Sequence, residues 1–413
     1  MIKVHFHSDC SYFAGCENML PQLFSRLNED SEFQTTFSYR NSPKYVEGMR
    51  RKITSPVNEF PRSYPNFGDP SEYPEWFPRF LRWTLLRLWA LIGVPFLITY
   101  ETLDLFFLFR RIKPEVLHVN NGGYPGAPSA RAAIIAGKLL RVRLKVMVVN
   151  NMAQDYRSKY RLLDFPIDRL VVNSTDFFIT GSHCAMDRLI SVLKLPKNKA
   201  IVIPNGIAGP ASTTVQSVPS GRSKPKFSGT TFGIIGELVP RKGHSYLIDA
   251  IAELRDSKTI DPLTFRLLIV GEGYLRTTLE SYVLERDLGQ YIFFIGYIEN
   301  IFELMEKIEV LVLPSTEYED FPYVILEGMS MMKPIIGSRV AGIPEQLDHG
   351  VNGLIVTPGN HLELAQAIEK LYMEPPSRKR LGENARKKFQ VNFTSKIATS
   401  KYKELYLSVN NQG

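Results

Sequence analysis

The chain has 413 residues, 44% of them hydrophobic and 22% charged. That composition excludes a disordered or fibrous chain and supplies cores for two domains of about 200 residues each. Its formal charge of +8 is uneven: residues 1–215 hold 27 Lys and Arg against 18 Asp and Glu (+9), and residues 216–413 hold 23 against 24 (−1). A basic first half suggests an anionic partner or surface, the plainer alternative being a solvated basic face, and no RNA or DNA motif points to nucleic acid.

The opening MIKVHFHSD goes straight into a strand-like run, without the basic and apolar regions of a secretory signal, so a cytoplasmic setting is expected. Cys10, Cys16 and Cys184 have neither zinc-type nor CxxC spacing. Short apolar runs follow at Val4–His7, Thr35–Tyr39, Val116–Asn120, Val146–Asn150, Phe177–Gly181 and Ile201–Pro204, with helical patterns such as Ala127–Leu140 and Ala185–Leu193 between them. Trp76–Phe109 breaks this rhythm. Its longest uncharged run, Leu88–Tyr100, is too short to span a bilayer and contains Pro95. It reads as a buried helical hairpin or as an interfacial membrane element, with Trp76, Trp83 and Trp89 beside Arg79, Arg82 and Arg87.

Gly209–Gly229 is rich in Ser, Thr, Pro and Gly and reads as a linker. The alternation then restarts, with strand patterns at Thr231–Gly236, Phe265–Val270, Ile292–Ile295, Val310–Leu313, Ile335–Ser338 and Gly353–Val356. The expected fold is α/β: two doubly wound, Rossmann-like domains facing across a cleft. The expected division is an N-terminal, acceptor-side domain over 1–208, a linker over 209–229, a donor domain over 230–395, and a C-terminal helix over 396–413 returning towards the first domain.

Two stretches of the second half carry chemistry. In GELVPRKGH, Gly236–His244, a strand ends and Arg241 and Lys242 precede a helix start, an arrangement suited to a diphosphate; an exposed basic turn has the same appearance. In PSTEYEDFPYVILEGMS, Pro314–Ser330, Glu319 lies in a loop and Glu327 on the helix that loop enters, with Pro322 at the expected first helical position. Amides around Phe321–Val324 suit phosphate oxygens, and a carboxylate on that helix can accept both hydroxyls of a ribose.

From Leu326 to Asn360, LEGMSMMKPIIGSRVAGIPEQLDHGVNGLIVTPGN resembles the C-terminal domain of retaining GT-B glycosyltransferases of the large family-four type. The likeness extends over residues 230–390, and the first half shares only its layout, including the Gly-bearing loop Phe13–Asn18 and the PNG turn Pro204–Gly206. The resemblance implies a nucleotide-diphosphate sugar donor, transfer to an acceptor hydroxyl with retention, no cofactor and no metal ion. Lys242 neutralises the diphosphate, with Arg241 assisting; Glu319 meets the donor sugar and Glu327 the ribose. Gly15, Gly236, Glu237, Gly271, Gly273, Tyr297, Ile298, Phe321, Pro322, Tyr323 and Val324 complete the implied donor site. Glu237 stands where the family usually has Arg, and Asn150 and Asn151 stand where many members have His.

His118, Asn120, Asn121 and Gly122, with Asn150 and Asn151, end strands on the expected acceptor side, although His118 also reads as a core histidine. No Asp-x-Asp and no cluster with metal-ligand spacing occurs. The expected partners are thus the donor, a glycan or lipid-linked glycan acceptor and an anionic membrane surface, on the cytoplasmic side. The alternatives are a nucleotide-sugar epimerase on the same fold and a non-catalytic partner subunit.

Overall fold

The computed structural model describes residues 1–10, 13, 15–53, 55–64, 79–157, 159–210 and 227–409. The chain divides into two compact units, residues 1–204 with 399–413, and residues 205–398.

Unit 1 begins β1 (Ile2–Ser8), α1 (Met19–Asn28), β2 (Phe33–Arg40), α2 (Pro43–Lys52), β3 (Asn58–Arg62) and α3 (Arg79–Ile112). It continues β4 (Val116–Asn121), α4 (Pro128–Leu139), β5 (Leu144–Val149), α5 (Lys159–Leu163), α6 (Phe165–Ser174), β6 (Phe177–Thr180), α7 (His183–Leu193) and β7 (Ala200–Val202). The strands form one parallel sheet in the order β3-β2-β1-β4-β5-β6-β7. Parallel strands covered on both faces bury nearly every side chain, as β4 and β5 do throughout. Even the histidines of β1 are buried, because His5 bonds the hydroxyls of Thr36 and Ser38 at 2.8 Å and His7 bonds Ser38 and Ser129. Ser42 and Ser182 cap α2 and α7 by accepting the amides of Tyr45 and Ala185.

The Trp-rich segment is not a hairpin. From Arg79 onward it is one 34-residue helix containing Pro95. Pro lacks a single amide donor, and the inward-facing Leu97, Ile98, Leu105, Leu108 and Phe109 keep the helix packed. Trp76 and most of the linker lie outside the described residues, and the side chains of residues 79–92 do as well.

Unit 2 runs β8 (Thr230–Ile235), α8 (His244–Asp256), β9 (Phe265–Val270), α9 (Arg276–Glu285), β10 (Ile292–Gly296), α10 (Ile301–Glu306) and β11 (Val310–Leu313). Then come α11 (Tyr323–Ser330), β12 (Ile335–Ser338), α12 (Ile343–Gln346), β13 (Leu354–Val356), α13 (His361–Met373) and α14 (Pro375–Asn392). A last helix, α15 (Ser395–Leu407), starts in unit 2 and ends in unit 1. The second sheet is also parallel, ordered β10-β9-β8-β11-β12-β13. Its strand order reverses between β8 and β11, so the loops leaving those two strands diverge and open a crevice at their carboxyl ends. Both motifs singled out above sit on those loops.

Candidate active site

After β8 the chain makes a 3-10 turn at Pro240–Lys242 and enters α8 through Gly243. Gly243 has φ +73°, and a Cβ there would lie 2.0 Å from the Pro314 carbonyl. Only glycine lets the cationic turn lie this close to the end of β11. Thr316 completes the join, its amide donating to the Arg241 carbonyl at 2.8 Å.

The two motifs meet at Glu319, which is 6% exposed. Its Oε1 accepts from Lys242 Nζ, from Arg241 at 3.2 Å and from the Ser315 hydroxyl at 2.9 Å. A carboxylate with two cations and a hydroxyl on one oxygen is held rigidly by charge-assisted bonds. The resemblance assigned Lys242 and Glu319 to different parts of a donor; the structure brings them together, with Arg241, into one ion cluster.

Pro322 is the N-cap of α11, so the helix starts one residue later than the sequence pattern placed it, and no side chain caps it. The carbonyls of Phe321 and Pro322 are tied down by Asn205 at 3.2 Å and Gln346 at 3.1 Å. The loop entering α11 is thereby fixed from behind, and the start of the helix carries the partial positive charge that favours an anion. Glu327 is half-buried one turn into the same helix. Ser315, Asn205 and Gln346 were missed as site residues. Of these only Asn205 had a signal, in the PNG turn, where a Cβ at Gly206 would lie 2.5 Å from the Thr394 carbonyl.

Gly271 and Gly273 answer to the fold. A Cβ at Gly271 would meet the Gly236 carbonyl at 1.9 Å, and one at Gly273 the Leu238 carbonyl at 2.4 Å. The loop after β9 lies flat on the cationic loop, sealed by Leu238 N–H donating to Glu272 O at 2.9 Å. Tyr297 is exposed and Ile298 half-buried beyond β10. Glu237, where the resemblance expects Arg, is exposed, and Arg241 stands beside Lys242 as the second cation on Glu319. A cavity of about 800 Å³ adjoins the cluster, lined by Arg241, His244, Tyr246, Tyr282 and Thr316.

In unit 1 several residues expected on the acceptor side face inward. His118 is 1% exposed and bonds the Tyr406 hydroxyl at 2.6 Å, and burial pulls its pKa down to about 3. This histidine belongs to the core and presents nothing to an acceptor. The Asn120 and Asn121 side chains are likewise taken up internally: Asn120 donates to Glu17 at 3.0 Å and accepts from Asn150 at 2.9 Å, while Asn121 donates to the Pro125 carbonyl at 3.2 Å. Asn151 accepts the Met152 amide, and Gly122 is half-buried. Glu17, whose carboxyl pKa burial raises, also accepts from Ser8 at 2.7 Å. This network anchors the loop carrying Gly15. Gly15 itself is exposed, and a Cβ added there meets nothing within 4 Å.

Among the described residues, no group of three or more His, Cys, Asp or Glu is placed to hold a metal ion. No described helix is long and apolar enough to cross a membrane.

Residues 222–388 match the family described as Glycosyl transferases group 1, and residues 60–206 match the Glycosyl transferase 4-like domain. An uncharacterized glycosyltransferase of Methanocaldococcus jannaschii is 34% identical over 201 residues, 48% of this chain and 50% of the relative. The alpha-D-kanosaminyltransferase of Streptomyces kanamyceticus is 33% identical over 153 residues, 37% of this chain and 38% of the relative. The chain thus spans about half the length, or less, of these curated relatives. Among solved structures, a glycosyltransferase from Rickettsia africae superposes with a TM-score of 0.74 at 15% identity, covering 100% of this chain and 99% of that one. Anabaena HepE, solved in complex with UDP, superposes with a TM-score of 0.71 at 19% identity, covering 98% and 100%. At such identities the likeness is one of fold, GT-B.

Proposed function

Starting from a chain that belongs to the group 1 glycosyltransferases, we propose that it moves a sugar from a nucleotide-diphosphate donor to an acceptor hydroxyl, with retention and without a metal ion. The observation that carries this is the ion cluster at the β8–β11 crevice: Lys242 and Arg241 converge on Glu319 beside the uncapped start of α11.

Cleavage of the sugar C1–O bond leaves negative charge on the departing diphosphate. Lys242, Arg241 and the positive end of α11 stabilise that charge, an electrostatic role. Glu319, freed as its cations turn to phosphate, meets the donor sugar, and Glu327 accepts the ribose hydroxyls. The departing phosphate oxygen takes the acceptor's proton. Because HepE was solved with UDP, a UDP-sugar is the first donor to test. The acceptor is a glycan or lipid-linked glycan, met by a protein held peripherally on the inner face of a membrane. Arg241 supplies the cation that Glu237 does not, which favours an active enzyme over a non-catalytic subunit.

The test is incubation with UDP-, GDP- and ADP-sugars and candidate acceptors in EDTA, with the product's anomeric configuration read by NMR. Retained configuration and activity undiminished by EDTA are expected. Activity lost in EDTA and restored by magnesium overturns the metal-free mechanism, and an epimerised sugar formed without acceptor overturns transfer.

A further inference from the structure

Helix α3 has two apolar faces. One is buried through Leu97, Ile98, Leu105, Leu108 and Phe109 and packs chiefly on α4. The other is exposed: Phe96 is 65% exposed, Tyr100 49%, Leu103 54% and Phe107 66%. Their spacing of four, three and four residues aligns them along a single stripe. Residue 110 falls next in that register and is Arg; Arg110, Arg111 and Lys113 are all exposed.

The acidic residues of this stretch are kept off the stripe. Glu101 is 1% exposed, and Asp104 accepts from Arg62 at 3.3 Å and Tyr64 at 3.2 Å. Large apolar side chains in a row on a soluble helix mark a surface that meets something apolar. Cations close the row, while on the helix itself Glu101 is buried and Asp104, 31% exposed, is paired with Arg62, so the charge at this end selects an anionic partner. A second copy of this chain offers no acidic counterpart on this face, whereas an anionic lipid surface offers both requirements, acyl chains for the stripe and headgroups for the cations.

We propose that the outer face of α3 is a membrane-docking surface, in which Phe96, Tyr100, Leu103 and Phe107 enter the headgroup boundary and Arg110, Arg111 and Lys113 engage anionic headgroups. The helix lies in the interface and does not cross it. This rests on the transferase reading only in naming where an acceptor is met; docking itself requires no donor.

Full-length protein is sedimented with phosphatidylcholine vesicles, with and without phosphatidylglycerol. Binding to the anionic vesicles, weakened by salt, is expected. Phe96→Ser with Phe107→Ser lowers the partition coefficient by about tenfold or more, given the transfer energy of one buried apolar side chain. Arg110→Glu with Arg111→Glu removes the preference for anionic vesicles. Leu263→Ser, at a site 77% exposed on unit 2, leaves binding unchanged. Circular dichroism and UDP calorimetry on each variant establish that fold and nucleotide site are intact. Absence of binding to anionic vesicles, or stripe variants that bind as wild type, overturns the proposal. So does a dimer in solution that those substitutions dissociate while vesicle binding stays constant. Failure of UDP, GDP and ADP alike to bind the wild-type protein counts against the transferase reading and leaves the vesicle result standing.

Discussion

Replacing Glu319 by Gln separates the two tasks given to the ion cluster. In the free protein its carboxylate, 8% exposed, takes Lys242, whose side chain is 12% exposed, and Arg241, 33% exposed. Removing one partner of a buried pair costs about 3–5 kcal/mol. That figure is discounted here, because solvent partly screens Arg241 and Gln keeps an oxygen for Ser315 and Lys242. A loss of about 2 kcal/mol in stability without ligand is therefore expected. UDP acts in the opposite sense, since its diphosphate supplies the negative charge that the substitution removed. Its affinity should stay level or rise by up to about tenfold, so saturating UDP restores more stability to the variant than to wild type. Transfer should nonetheless fall by about 100-fold, the scale of losing an electrostatic contact at the reacting centre. Calorimetry with UDP, denaturant melts with and without it, and a transfer assay read the three quantities. UDP binding weakened more than tenfold in the Gln variant refutes the idea that Glu319 holds the cations in place of phosphate.

Lys242→Ala should lower kcat/KM by about 10–100-fold, the value of one charge-assisted bond, measured at subsaturating donor; near wild-type turnover removes Lys242 from the diphosphate. Gly15→Trp should leave stability within about 0.5 kcal/mol, as for an exposed substitution, since a Cβ there meets nothing, yet reduce turnover at least tenfold if the glycine serves donor approach; unchanged turnover in a folded variant ends that role. His118 is held neutral, with its pKa moved from 6.5 to about 3. Its contribution is therefore complete above pH 6.5 and is lost as pH falls and the unfolded chain takes up a proton that the folded one refuses. His118→Gln should flatten the stability–pH curve between pH 6.5 and 4 by up to about 1.4 kcal/mol per pH unit, and parallel curves for the two proteins would falsify the assignment.

Much of this architecture is legible because parallel strands buried on both faces announce themselves as short apolar runs. β4 and β5 are examples, although His118, Asn120, Asn121 and Lys145 are buried polar exceptions within them. β3 is not legible: Asn58–Arg62 contains Pro61 and is mostly exposed, as an edge strand can be, so neither alternation nor an apolar run marks it. Helix α3 misleads in the other direction. Pro95 and the dense aromatics suggest a broken hairpin, but local propensity loses to the packing of five inward side chains further along the helix. His118 failed as a site for a related reason. A histidine near the end of an apolar run has the look of a ligand, but His118 lies within β4, and the hydroxyl that claims it belongs to Tyr406, 288 residues away.

The same distance problem explains why the residues of the Glu319 cluster are legible one by one in the sequence while their assembly is not. Lys242 and Glu319 are 77 positions apart. Each motif shows a strand ending, a loop and a helix start, and nothing local says that the two strands are neighbours. That adjacency comes from the order β9-β8-β11, in which the crossover from the far side of the sheet returns beside β8. Once it exists, Gly243 against Pro314 and Thr316 against Arg241 leave the cations little choice of partner. Two cations this close repel, and in a donor-free protein a nearby carboxylate is what keeps them oriented towards the crevice. On the proposed reading the glutamate and the diphosphate are alternative partners of the same two cations. Donor binding then exchanges one ion pair for another, and Glu319 keeps the Ser315 hydroxyl and needs the hydroxyls of the donor sugar to offset its burial.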